Sequence, residues 1–444
     1  MGRHTVTGLL CATGRQFEDW SADYRLFSQN RLDIDKLFGT IRRKILDLAG
    51  PDAPFIVAMD DSTLRKTGTK IPGVAYRRDP LSPPFRPNFI RAQRVVQLSA
   101  SVPSGQNPGP ARSIPIDFAH APTAPKPRKN DPEEKWKQYR ALRKELNLSR
   151  QGVERIKKLR AALDDDEQNR DRKLLVTVDG SYTNGTVLKN LPPRTALIGR
   201  IRADAKLYRQ PILSDMPPRG RKPQYGERVP TPDEIRKDPN IPWQTVKVFA
   251  AGKLHETKIK TISPLLWRTS GHKIYLRLIV IAPLAYRPSK RSRILYRQPA
   301  YLVTTDVDAP LQQIVQAYFW RWGIEVNFRD EKQLIGVGEA QLRSTHGVEL
   351  APAFFTASYS MLLLAALKAF GSDAPDIIPH PRWRPKSKKR RPSTQDLKNI
   401  LRAELWGQAL DKINSYDFAN TIDSDTKPQK FIPKLAPAIL YAVN

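Results

Sequence analysis

Tyr318, Arg321, Glu325 and Lys332 lie three, four and seven residues apart in the stretch YFWRWGIEVNFRDEK. On a helix those spacings put all four on one face. That face carries one carboxylate between two cations and a phenol. A carboxylate that binds a metal, flanked by groups that bind phosphate, is what phosphodiester chemistry needs. Two other segments offer carboxylates to join it. PFIVAMDDSTLRKTG ends a short apolar run in Asp60-Asp61, and RKLLVTVDGSYTNG ends one in Asp179. A strand with an acid at its C-terminal end places a metal ligand on rigid backbone. Plainer readings exist for each: a solvated helix face at Glu325, and polar turns at Asp60-Asp61 and Asp179.

The elements that must position these residues can be read from periodicity. Ile314, Val315, Tyr318, Trp322, Val326 and Phe328 recur mostly at spacings of three and four after Pro310, which predicts one helix with a buried side. In this pattern Trp322 belongs to the core, and stacking on a displaced base is the lesser alternative for Trp320 or Trp322. Phe55 to Met59 and Leu174 to Val178 predict buried strands. Residues 91–100, 112–118 and 194–202 predict three more, and 133–163 a helical region. Leu37, Ile41, Ile45 and Leu46 form an apolar stripe in a helical N-terminal region. Arg65, Lys66 and Lys70 follow the first acids and are placed either to touch DNA phosphates or to form a solvated basic loop.

The spacing Tyr-x2-Arg-x3-Glu-x6-Lys resembles the third motif of the DDE transposases of bacterial insertion sequences. The apolar strands ending in Asp60-Asp61-Ser-Thr and in Asp179 resemble the first two motifs. The resemblance covers roughly residues 55–370. It implies an α/β fold with a ribonuclease-H-like core, a mixed sheet flanked by helices, and a β-rich insertion between the second and third carboxylates. It implies that Asp61, Asp179 and Glu325 are catalytic and hold two Mg²⁺ or Mn²⁺ ions, with Asp60 as the alternative first ligand. Tyr318, Arg321 and Lys332 are then DNA-binding. The implied partner is double-stranded DNA, both transposon ends and target, bridged by a homodimer. The expected division is a helical region 1–50, core 51–205, insertion 206–305, core 306–372, and a basic linker with a C-terminal helical region, 373–444, with the two flanks resting on composition. The N-terminal region looks short for the end-binding task of such proteins, as in a truncated copy or a frame that begins upstream.

Charge agrees with a polyanionic partner. The chain of 444 residues has 75 Lys and Arg against 44 Asp and Glu, a net +31. Basic residues interleave with aromatics at Tyr286, Arg287, Lys290, Arg291, Arg293, Tyr296 and Arg297, a composition suited to backbone contact and base stacking or to a plain hairpin tip. A second basic run, PRWRPKSKKRRP, reads as a linker, followed by an amphipathic helix capped near Ser393. No run approaches the roughly 18 consecutive apolar residues of a membrane span. Neither a P-loop nor a dinucleotide-binding glycine run is present, so no nucleotide cofactor is implied. The single cysteine, Cys11, excludes an internal disulfide and a multi-cysteine zinc site. A bacterial, cytoplasmic, nucleoid-associated protein is the expectation. Three functions compete: a transposase, a metal-dependent nuclease on the same sheet, and a DNA-binding remnant without catalysis.

Overall fold

The computed structural model describes residues 4–13, 15–29, 31–50, 52–79, 81–83, 85–103, 107–212, 222–287, 292–371 and 392–401. Three helices open the chain: α1 (Val6–Thr13), α2 (Ser21–Ser28) and α3 (Ile34–Leu46). Strands β1 (Phe55–Arg65), β2 (Ala75–Arg78), β3 (Phe89–Pro103) and β4 (Ala111–His120) follow, then helices α4 (Glu133–Glu145) and α5 (Leu148–Asp164). Next come β5 (Leu174–Val178), α6 (Gly185–Leu188), β6 (Thr195–Arg200), β7 (Leu207–Tyr208) and α7 (Pro232–Lys237). Strands β8 (Gln244–Ala250), β9 (Lys253–Trp267), β10 (Gly271–Ile281), β11 (Ala285–Tyr286), β12 (Leu295–Tyr296) and β13 (Ala300–Thr304) precede α8 (Leu311–Trp320), α9 (Trp322–Asp330) and α10 (Thr345–Phe370). The chain forms two compact units, residues 1–41, 63–93 and 328–444 in one, residues 42–62 and 94–327 in the other.

The second unit is built on a sheet in the order β4-β3-β1-β5-β6-β13-β10-β9-β7, with β8 also paired to β9. β1, β5 and β6 run parallel, in the register Val57↔Val176 and Val176↔Leu197. Burial of β5 on both faces explains its continuous apolar run. β13 then pairs antiparallel to β6, and β10 to β13, so strands from the 206–305 segment continue this same sheet. Ile198, Ile279 and Leu302 pack with Ile314, Val315 and Trp320 of α8 in one core. Each such side chain contributes about 1.5–3 kcal/mol by leaving water. The expected helical region 133–163 forms as two helices that divide at Asn147, whose side chain accepts hydrogen bonds from the Ser149 and Arg150 amides and starts α5. α5 buries Val153, Ile156, Leu159 and Leu163, whereas α4 buries no residue.

The first unit holds α1, α2, a hairpin of β2 and the start of β3, and the long α10. Phe27 of α2 packs against Phe354 and Phe355 of α10. α10 is long and apolar enough to cross a membrane by length and composition, but most of that apolar window is buried. Asp330 accepts a hydrogen bond from Thr394 at 2.6 Å, which ties the start of helical residues 394–401 to the end of α9. The basic run 381–392 and the chain beyond 401 lie almost wholly outside the described residues, as do Lys290 and Arg291.

Candidate active site

β1 does not stop at the acids. It continues through Asp60 and Asp61 to Arg65, so neither acid begins a turn. Adjacent strand residues point to opposite faces, and the two carboxylates accordingly find different partners. Asp60 Oδ2 lies 3.4 Å from the Arg321 guanidinium. Asp61 accepts a hydrogen bond from the Tyr182 hydroxyl at 3.2 Å and lies 3.6 Å from Arg94 Nε. Arg321 also reaches Glu325 Oε1 at 3.2 Å, so a single guanidinium spans two acids far apart in sequence.

Asp179 follows the last residue of β5 and shapes its own turn. Its Oδ1 accepts from the Ser181 amide and hydroxyl at 2.9 and 2.6 Å and from the Tyr182 amide at 3.4 Å. Thr183 Oγ1 donates to the Asp179 carbonyl at 2.7 Å. The space for that bond depends on Gly199 of β6, where an added Cβ would stand 2.1 Å from Thr183 Oγ1.

The electrostatics bring these groups together. Burial raises the Asp60 carboxyl to about 7 from an ordinary 3.8, with the negative charge of Asp179 adding to the rise and Arg321 opposing it. Burial, reinforced by Asp61, Asp60 and Asp179, pushes the Tyr182 hydroxyl far up, so it stays protonated and donates to Asp61. Tyr318 is raised chiefly by burial. Burial works against the charge on Arg321, but Tyr318, Asp60 and Glu325 more than offset it and its pKa rises.

The helical stretch departs from the expected single helix. It divides at Arg321 into α8 and α9, but Arg321 keeps helical angles and its amide donates to the Ala317 carbonyl, so the buried stripe runs on through Ala317, Trp320, Ile324 and Phe328. Trp320 is buried and donates from its indole to the Gly109 carbonyl at 3.0 Å. Trp322, expected in the core, is 62% exposed. Gly323 lets α9 approach β4, since a Cβ there would stand 2.5 Å from Ser113 Cβ. Ser113 and Asn327 lock that approach by hydrogen bonds at 2.6 and 3.1 Å. Lys332 belongs to the first unit, on a π-helical turn (Glu331–Ile335), with its ammonium 5.9 Å from the Phe328 ring. Burial lowers its pKa. Lys66 does not face solvent as a phosphate contact requires. It is buried and donates to the Gly338 and Ala340 carbonyls, both at 2.7 Å.

Tyr182 and Arg94 were not singled out by the sequence pattern. Tyr182 had a signal, its place three residues after Asp179 in the turn, whereas nothing local marks Arg94 among the cations of β3.

Among the described residues, no three His, Cys, Asp or Glu side chains stand close enough to hold a metal ion in this arrangement. Arg321 is the cation between Asp60 and Glu325. The donors nonetheless suit a hard divalent ion: they are carboxylate oxygens, and Asp60 feels an Asp179 charge that Arg321 does not fully offset. Beside Asp179, a groove of about 1320 Å³ begins at Gly180 and Thr183 and is lined by Arg200, Lys206, Tyr208 and Arg268. Arg268 stacks over Tyr208 at 4.8 Å and Tyr225 at 5.7 Å.

No curated protein matches the chain. A protein family does: residues 1–273 match the family described as DDE superfamily endonuclease, a span that includes β1, β5, Asp60, Asp61 and Asp179. With more than half of its 444 residues inside that match, the chain belongs to the DDE superfamily endonucleases.

Proposed function

We propose that the chain is a DNA transposase, cutting the ends of an insertion sequence and joining the freed 3′-hydroxyls to target DNA. The observation that carries this reading is the Arg321 fork between Asp60 and Glu325, with the charge of Asp179 acting on Asp60. The strand order β4-β3-β1-β5-β6, parallel across β1, β5 and β6, supports a ribonuclease-H-like core. Asp60 is favoured over Asp61 as the first shared acid, because it shares Arg321 with Glu325 and feels the charge of Asp179, whereas Asp61 faces Tyr182 and Arg94.

Asp60, Asp179 and Glu325 would hold two Mg²⁺ or Mn²⁺ ions, which in such sites activate a hydroxyl nucleophile and stabilise the leaving oxygen. The protein's own groups do the rest. Arg321 exchanges a carboxylate for a phosphate oxygen when DNA enters, keeping its planar two-pronged geometry. Tyr318, kept protonated by burial, donates to a phosphate oxygen. Tyr182 and Arg94 fix the Asp61 carboxylate and so keep β1 in register. Arg200, Lys206 and Arg268 give the strand leaving the site a basic path with aromatic surfaces. Lys332 binds a DNA phosphate, and two copies of the chain bridge two ends.

The test is incubation of the full chain with Mg²⁺ and DNA carrying the repeats that flank its gene. Free 3′-hydroxyl ends followed by joined products support transposition. Nicking without joining supports a metal-dependent nuclease, and salt-sensitive binding without cutting supports a non-catalytic remnant.

A further inference from the structure

The hairpin formed by β2 and the start of β3 takes no part in the acid cluster, yet it has an unusual surface. β2 pairs with β3 in the register Tyr76↔Arg91 and Arg78↔Phe89. Four large apolar side chains point away from any core: Tyr76 is 74% exposed, Leu81 91%, Phe85 87% and Phe89 62%. Single exposed apolar residues are ordinary, but this many on one hairpin mark an interaction surface. The described residues of the tip are tied together. The Asp79 carboxylate accepts from the Leu81 amide at 3.0 Å and lies 3.4 Å from Arg65, and the Asp79 carbonyl accepts from Ser82 Oγ at 2.6 Å. The Arg86 amide donates to the Pro83 carbonyl at 3.2 Å.

Charge selects the occupant. Residues 75–91 hold Arg77, Arg78, Arg86 and Arg91 against the lone acid Asp79, which is already engaged by Arg65. A second copy of a chain with net +31 would bring like charges together at this hairpin. A polyanion would not. A two-stranded ribbon is also narrow enough to enter a groove of duplex DNA. We propose that this hairpin is a DNA wedge: Leu81 and Phe85 insert between neighbouring base pairs and kink the duplex, while Arg78 and Arg86 hold the flanking phosphates. The proposal rests on the reading of the chain as an enzyme acting on DNA.

The experiment uses the full chain, a duplex of about 30 base pairs with a fluorescent donor and acceptor at its ends, and a Leu81→Ser/Phe85→Ser variant. Both side chains are almost fully exposed, so the variant should melt at the wild-type temperature. Wild type should shorten the end-to-end distance on binding. The variant should bind about tenfold more weakly and leave the duplex straight. Wild-type affinity and bending in the variant overturn the wedge. So does bending retained with loss of self-association in sedimentation, which makes the patch a contact between copies. Magnesium-dependent cleavage of the same duplex is read in parallel. A wild-type chain that neither binds nor cuts DNA sinks the underlying enzyme reading as well, whereas one that cuts without bending sinks the wedge alone.

Discussion

The Arg321 guanidinium lies 3.4 Å from the Asp60 carboxylate, a contact across 261 residues of sequence. It joins the end of α8 to the middle of β1. With its other prong on Glu325, Arg321 holds two acids at one place before any substrate arrives. We expect Arg321→Ala to lower kcat/KM for DNA cleavage about 100-fold, the scale on which loss of one positioned charge acts. Arg321→Lys should recover little of it, because an ammonium cannot span both oxygens. Steady-state cleavage assays with both variants check this.

Asp60 and Asp61 should separate cleanly. Asp60→Asn is expected to abolish cutting while DNA binding persists. Asp61→Asn should keep measurable cutting and lose thermal stability, since Tyr182 and Arg94 would lose their charged acceptor. The opposite pattern assigns the first shared acid to Asp61.

The raised Asp60 carboxyl has a signature in the metal-free protein. Its folded pKa of about 7 exceeds the ordinary 3.8, so between those values the native state holds a proton that the unfolded chain does not. Stability should therefore be fullest below about 4 as far as this group is concerned, and fall as pH rises towards 7, by on the order of a few kcal/mol. Melting curves with chelator present, compared with Asp60→Asn, check whether that component of the slope disappears.

Lys66 gives the reverse dependence at alkaline pH. Burial lowers its ammonium to about 8 from 10.5, so between those values the unfolded chain holds the extra proton. Its contribution to stability should increase from pH 8 to 10.5. Lys66→Met should flatten that rise and leave the Gly338 and Ala340 carbonyls short of a donor, a loss of about 1–3 kcal/mol near neutrality for an unpaired buried group.

Gly199→Ala tests the support beneath Asp179. The new methyl would collide with Thr183 Oγ1 and displace its hydrogen bond to the Asp179 carbonyl. A destabilisation of about 1–3 kcal/mol is expected, together with reduced cleavage, measured by denaturant melts and single-turnover assays.

What could be read in advance follows from how local each signal is. β5 matches the reading residue for residue, because five buried residues stand between Lys173 and Asp179. β1 runs past its apolar half because sheet pairing carries the polar Asp60-Asp61-Ser62-Thr63 onward, a tertiary effect that polarity alone hides. β2 escaped notice because its four residues are flanked by turn-forming residues and carry two arginines. Trp322 falls outside the core because the buried stripe runs on through the break at Arg321 as Ala317, Trp320, Ile324 and Phe328, with position 322 between them. Arg321 and Glu325 were visible from their i, i+4 spacing, which survives that break. Tyr182 and Arg94 matter only through partners brought together by the sheet.

The most direct measurement is Mn²⁺ binding to the full chain by electron paramagnetic resonance, comparing wild type with Asp60→Asn, Asp179→Asn and Glu325→Gln. Weakened binding in every one of the three variants is the expected result, since each removes an oxygen ligand from one shared centre. Undiminished binding in both Asp179→Asn and Glu325→Gln would contradict a common metal centre built from these acids.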